Sequence, residues 1–129
     1  MSSRRLLVAV VDDEEPVRKA LRRLFRSAGI DVEAYASGEE LLAAVSDDRT
    51  PRPDCAVLDL HLPGLSGLDV LERMVQAGIP VPAVIVTGHD HAGVAERAFA
   101  AGAAAYLRKP LDDKVLLDAI ALAVGPDGS

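Results

Sequence analysis

RLLVAVVDD, residues 5–13, is an apolar run that ends on two carboxylates. A strand buried on both faces reads as a continuous hydrophobic run, the mark of a parallel sheet covered by helices. Three further runs have the same form. CAVLD (55–59) ends on Asp59, AVIVT (83–87) on Thr87, and AAYLRK (104–109) on Lys109. Open parallel sheets bind their ligands beyond the carboxyl ends of the strands. The four ends therefore converge on one edge. That edge gathers Asp12, Asp13, Asp59, Thr87 and Lys109, which supply three carboxylates, a hydroxyl and an ammonium.

The intervals between these runs read as helices and one more strand. Pro16 stands at a helix start, where its missing N–H does no harm. Val17, Ala20, Leu21, Leu24, Phe25 and Ala28 follow at helical spacing, and Gly29 ends the helix. Residues 30–35 form a second strand. Ser37 and Glu40 form a capping box that opens a helix to about Val45. The polar, proline-bearing stretch 46–53 is a loop, and 54–58 is the central strand. After the turn at Leu62-Pro63-Gly64, Leu68, Leu71 and Val75 mark a third helix ended by Gly78. The fourth strand is expected at 81–86, a helix at 92–101 ended by Gly102, and the fifth strand at 104–107. Asp112 caps a last helix carrying Val115, Leu116, Ala119, Ile120 and Val124. Residues 125–129 read as a tail or clipped linker. Five strands alternating with five helices specify a doubly wound α/β sandwich with right-handed crossovers.

The chain has 129 residues, enough for one domain with a real core. Half of it is hydrophobic and only 3% aromatic, so that core is aliphatic. A net charge of −6 argues against broad, non-specific nucleic-acid binding. The lone cysteine, Cys55, sits inside an apolar strand and reads as a buried thiol. Arg4-Arg5 followed by Leu6–Val11 resembles a signal peptide only superficially, because an acidic run replaces the cleavage site. No stretch is long enough to span a membrane. A cytoplasmic protein is expected.

Three carboxylates on one edge repel one another unless a cation neutralises them. A hard divalent ion with oxygen ligands, Mg²⁺ or Mn²⁺, answers that need. A carboxylate can also be a nucleophile toward phosphorus. Such a reaction needs a cation, a hydroxyl donor and a balancing positive charge, which the acidic pair with its metal, Thr87 and Lys109 supply.

The segments VVDDEEPVRKAL (10–21), VLDLHLPGLSGLDVL (57–71), AVIVTGHD (83–90) and AAGAAAYLRKPLDD (100–113) resemble a receiver domain of a two-component response regulator. The similarity covers about residues 5–124, and a domain at 4–124 is expected. LFRSAG…YASGEELL and AFAAGAAAYLRKPLDDKVLLDAI are most similar to the nitrogen-fixation type, which usually precedes a LuxR-type helix-turn-helix. The resemblance implies the flavodoxin-like, CheY-like fold with strand order 2-1-3-4-5. It implies Asp59 as phosphoacceptor and a histidine kinase or phosphotransfer protein as donor. It implies a metal held by Asp13 directly, Asp12 largely through water, Asp59, and the backbone carbonyl of His61. Thr87 would bond a phosphoryl oxygen and Lys109 would pair with the phosphate. A cis peptide before Pro110 would hold Lys109, and Tyr106 would swing inward with Thr87. Phosphorylation would switch the surface of the fourth helix, fifth strand and last helix, with homodimerisation and control of transcription through a separate or removed output half.

Two features depart from the pattern. His61 and His89 each stand two residues beyond a site residue, where side chains tune the lifetime of the phosphoryl group; as solvated loop residues they would do nothing. No output domain follows Gly125 in this sequence. The first helix carries Arg18, Lys19, Arg22, Arg23 and Arg26, read either as a solvated basic face or as a docking surface for the kinase. Two rival functions remain. A haloacid-dehalogenase-type phosphatase shares the aspartyl nucleophile but needs a second Asp where His61 stands. A phosphorylation-independent interaction module usually lacks one of the acidic, Thr or Lys positions, all of which are here. The chain is thus expected to act as a self-modifying phosphoacceptor rather than a conventional enzyme.

Overall fold

In a computed structural model, which describes residues 5–125, the chain forms five parallel strands in the order β2-β1-β3-β4-β5. These are β1 (Leu7–Val11), β2 (Asp31–Tyr35), β3 (Cys55–Asp59), β4 (Ala83–Thr87) and β5 (Ala105–Arg108). The helices are α1 (Glu15–Ser27), α2 (Gly38–Val45), α3 (Gly67–Gln76), α4 (Val94–Ala100) and α5 (Asp113–Val124). This is the doubly wound, flavodoxin-like arrangement that the alternating runs predict.

The continuous apolar strands divide by parity, because successive side chains point to opposite faces. Val8, Val10, Cys55, Val57, Val84 and Val86 pack under α1 and α5, against Leu21, Phe25, Leu116 and Ile120. Ala9, Val11, Ala56, Leu58, Ala83 and Ile85 pack under α2, α3 and α4, against Leu41, Leu71, Met74 and Ala98. Both faces of the three central strands are covered, so nearly every residue of β1, β3 and β4 is buried in one core or the other, while the edge strands β2 and β5 are only half-buried. The Cys55 thiol is fully buried and burial pushes it up to about 12. A thiol so placed is inert packing.

Several boundaries shift for identifiable reasons. The fourth strand starts at Ala83, not Val81, because Pro82 has no N–H to enter the ladder. The helix expected from 92 starts at Val94, because Gly93 takes a left-handed conformation (φ 85°) that ends the preceding turn. The second strand begins at Asp31 and the fifth at Ala105. Val75 and Val115 do not join the core; they are 58% and 50% exposed. On α3 the buried face is Gly67, Leu68, Val70, Leu71 and Met74, so Leu68 and Leu71 pack as expected and Met74 takes the place read for Val75; on α5 it starts at Leu116. Ser37 does cap α2 by accepting from Glu40 N, but Glu40 reaches back to Ala36 N rather than to Ser37. The complete capping box lies at Ser66 and Asp69 instead, with both bonds at 3.0 Å. Gly29 (φ 78°) ends α1 and Asp112 caps α5, as read from the sequence. The expected domain's first residue, 4, and the tail at 126–129 lie outside the described residues.

Gly67 matters most for the site. Its N–H donates to the Leu60 carbonyl at 3.1 Å, and a Cβ there would overlap the backbone oxygen of Asp59. Only glycine lets α3 start directly against the end of β3. Gly67→Ala should therefore cost about 1–3 kcal/mol through overpacking. A urea midpoint equal to that of the wild type would show that the contact is loose.

Candidate functional site

The strand register sets the site. Val11 lies level with Leu58, Asp59 with Val86, and Thr87 with Arg108. The residues just beyond these pairs therefore share one edge, and the structure brings together Asp12, Asp13, Asp59, Thr87 and Lys109. Ligand atoms of the three aspartates lie within 4.8 Å of one another. The set is all-oxygen and anionic, the donor chemistry of Mg²⁺ or Mn²⁺.

Each carboxylate is held differently. Asp12 is buried, and both its oxygens are engaged: Oδ1 accepts from Glu14 N at 2.9 Å and Oδ2 from Lys109 Nζ at 3.0 Å. Asp59 is also buried; its Oδ1 accepts from His61 N at 3.2 Å and its Oδ2 from Lys109 Nζ at 3.2 Å. Asp13 is exposed and makes no hydrogen bond or ion pair with another described residue. One ammonium thus pairs with two of the three carboxylates. Burial holds the Asp59 carboxyl above its ordinary range; Lys109 and the His61 N–H pull it back, and Asp12 pushes it up again. Burial opposes the charge on Lys109, but its bonds to Asp12 and Asp59 prevail and raise it. The Lys109–Pro110 peptide bond is cis.

Thr87 is fully buried, and its hydroxyl donates to the His89 carbonyl at 2.8 Å while His89 N donates back to Oγ1 at 3.0 Å. The hydroxyl is thus engaged by the β4–α4 loop. Tyr106 does not point its hydroxyl inward. It donates to Asp90 Oδ1 at 2.7 Å, and Arg108 reaches Asp90 Oδ2 at 3.3 Å. Burial and the Asp90 carboxylate push Tyr106 up to about 12, so it stays a proton donor at neutral pH. His61 and His89 are both exposed, with their rings in edge contact at 5.7 Å.

The basic face of α1 separates into parts. Arg18 donates to the Asp12 carbonyl at 2.8 Å, so it braces the site loop. Arg22 and Arg26 line a cleft of about 560 Å³ with Arg5, beside β2 and away from Lys109. Lys19 and Arg23 flank a neighbouring groove that Arg22 and Arg26 share. The groove that does reach Lys109 is apolar, about 340 Å³, and lined by Pro16, Val17, Leu21, Pro110 and Leu111. Sequence reasoning missed Asp90, Gly67 and the bracing role of Arg18. Each acts through a loop contact that leaves no periodic signal.

The family described as response regulator receiver domain matches residues 8–121. The chain belongs to that family. Nodulation protein W of Bradyrhizobium diazoefficiens is 40% identical over 126 residues, 98% of this chain and 54% of that protein. Transcriptional regulatory protein FixJ of Rhizobium meliloti is 37% identical over 113 residues, 88% of this chain and 54% of that protein. This receiver therefore spans about half the length of the curated relatives it matches. The crystal structure of FixJ-N superposes with a TM-score of 0.85 at 34% identity, covering 95% of both chains. A response regulator receiver protein from Burkholderia phymatum gives 0.82 at 45% identity, covering 94% and 96%. The receiver is a component of two-component signalling. Among its described residues no helix is long and apolar enough to cross a membrane.

The raised Asp59 predicts a pH effect with a definite sign. A carboxyl lifted above its unfolded value stabilises the fold while protonated, and that stabilisation is lost as pH rises through the folded value. Ionised Asp59 therefore weakens the fold at neutral pH. In chelator, Asp59→Asn should melt higher than the wild type at pH 7, and the gap should close as pH falls into the ordinary carboxylate range. A gap that is absent, or constant across that range, would contradict the charge balance described.

Proposed function

We propose that Asp59 is the phosphoacceptor of this receiver. The observation that carries the reading is the charge balance at the sheet edge. A buried carboxylate, held above its ordinary range, lies 3.2 Å from a lysine that also pairs with Asp12, while Asp13 stands free. A carboxylate oxygen of Asp59 attacks phosphorus of a phosphohistidine on a partner kinase or phosphotransfer protein. The new O–P bond forms as the P–N bond breaks, and the imidazole leaves. Lys109 is already in place to balance the added charge. Asp13 and Asp59, the His61 carbonyl, and Asp12 largely through water, would hold Mg²⁺ or Mn²⁺. That ion, when bound, supplies positive charge to the phosphoryl oxygens. The division between Asp12 and Asp13 follows from their partners. Asp12 has both oxygens hydrogen-bonded, whereas Asp13 is free to bind directly.

The added charge gives the Thr87 hydroxyl a stronger acceptor than the His89 carbonyl. Turning to it breaks the 2.8 Å bond and frees the β4–α4 loop. Asp90 lies in that loop, so Tyr106 loses its surface partner and can turn inward. The change biases a pre-existing equilibrium of the α4–β5–α5 face. Output through a homodimer and control of transcription follow by analogy with the regulators the chain resembles. His61 and His89, at the site mouth, tune the lifetime of the phosphoryl group. The chain catalyses its own modification and is not a conventional enzyme. The kinase docks along α1, with the apolar groove beside Lys109 at the centre, Arg18 at the site loop, and Arg22 and Arg26 farther along the helix beside β2. The work is done in the cytoplasm.

With Mg²⁺ and acetyl phosphate, the protein should gain one base-labile phosphoryl group, and Asp59→Asn should lose it while keeping its far-ultraviolet spectrum. Persistent labelling of that variant would sink the assignment. A direct ligand should matter more than an outer one, whose loss typically weakens a metal about 10–100-fold. Asp13→Asn should accordingly weaken Mg²⁺ by more than about tenfold in an NMR titration. Overlaid titration curves would move the metal elsewhere.

A further inference from the structure

The side chain of His61 makes one polar contact that the function above does not use. Its Nε2 lies 3.3 Å from the backbone oxygen of His89, across the gap between the β3–α3 and β4–α4 loops. A carbonyl only accepts, so Nε2 carries the hydrogen and donates. The same oxygen accepts the Thr87 hydroxyl at 2.8 Å, and His89 N closes the ring by donating to Thr87 Oγ1 at 3.0 Å. The imidazole therefore supports the one loop geometry in which the Thr87 hydroxyl is turned from Asp59. The backbone N–H of the same residue donates to Asp59 Oδ1 at 3.2 Å. His61 thus touches the acceptor carboxylate with its main chain and the switch loop with its ring.

We propose that His61 is a positioning residue: its ring latches the β4–α4 loop and holds Thr87 in the resting arrangement. Among the described residues the latch is one of two side-chain ties from neighbouring elements to the loop. The other runs from β5, where Tyr106 and Arg108 bond Asp90, and it is independent of His61. Loss of the ring therefore loosens the loop without freeing it entirely. The meaning of the latch for signalling rests on the role given to Thr87 above; the latch itself is a property of the unphosphorylated protein.

The test is amide hydrogen exchange of His89 in unphosphorylated protein, because that N–H exchanges only when its bond to Thr87 opens. A net hydrogen bond corresponds to a factor of about two to ten in such an opening equilibrium. His61→Ala should speed exchange at His89 by about two- to tenfold. His61→Gln, whose side-chain amide offers a donor N–H in place of the ring's, should bring it back toward the wild-type rate. His61 is exposed, so neither variant threatens the core. Unchanged exchange in His61→Ala would overturn the latch, and so would a Gln variant that exchanges as fast as the Ala variant. Failure of the phosphoacceptor reading would appear separately, as wild-type protein that takes no label from acetyl phosphate.

Discussion

The Lys109 ammonium, bonded to Asp12 at 3.0 Å and to Asp59 at 3.2 Å, is the interaction on which the site depends. Three carboxylates on one sheet edge cannot all ionise cheaply when two of them are buried. Burial raises Asp59 most; Lys109 offsets part of that and of the repulsion from Asp12, and leaves Asp59 still raised. The fold therefore keeps a surplus of negative charge where a better packed edge would have none. Such a surplus opposes stability and favours a cation, the usual exchange of stability for function at a reactive site. A second lysine would relieve the repulsion and remove the reason for a metal to bind.

Getting these groups together is a task for the sheet. Parallel pairing puts every carboxyl end on the same side, and the register levels 11 with 58, 59 with 86, and 87 with 108. This much was legible in the sequence because burial on both faces has its own signature. Val8 and Val10 face α1 and α5 while Ala9 and Val11 face α2 to α4, so no position in the run is free to be polar. The strand runs were therefore plain, and so was the residue each ends on. Helix faces were less so. Val75 and Val115 fit an apolar spacing but sit one residue off the buried stripe, and valine alone does not say which stripe the sheet will cover. Boundaries moved where the backbone has a veto, at Pro82 without its N–H and at Gly93 with its positive φ.

The contacts between loops around the site were not legible, for a different reason. Arg18 looked like one more cation on a basic helix, yet it donates to the main-chain oxygen of Asp12. Nothing in the spacing of the sequence singles out Asp90, yet it receives both Tyr106 and Arg108. Bonds between loops, or from a side chain to a backbone oxygen, obey no period of 2 or 3.6. They depend on where two separately folded turns happen to meet. The chemistry of the site is written in residue types at strand ends, while its resting state is written in geometry.

The proposed switch has, in that resting state, a simple basis for all-or-none behaviour. A threonine hydroxyl has one hydrogen to donate. In this structure the hydrogen points to His89 O, and it cannot at the same time serve an oxygen on Asp59. The two arrangements exclude each other at the level of a single proton, so the proposed switch has two states with little room between them. The His61 ring and the Asp90 bonds favour the first state from opposite sides, one from β3 and one from β5. Their combined strength sets how much new charge at Asp59 is needed to reverse the preference. Ties that are too strong would make the receiver deaf to phosphorylation, and ties that are too weak would leave it active without it. Hydrogen bonds at the surface, each with a net contribution of about 0.5–1.5 kcal/mol, suit that requirement better than buried packing would. A few of them are enough to hold the resting state and few enough for one phosphoryl group to outweigh.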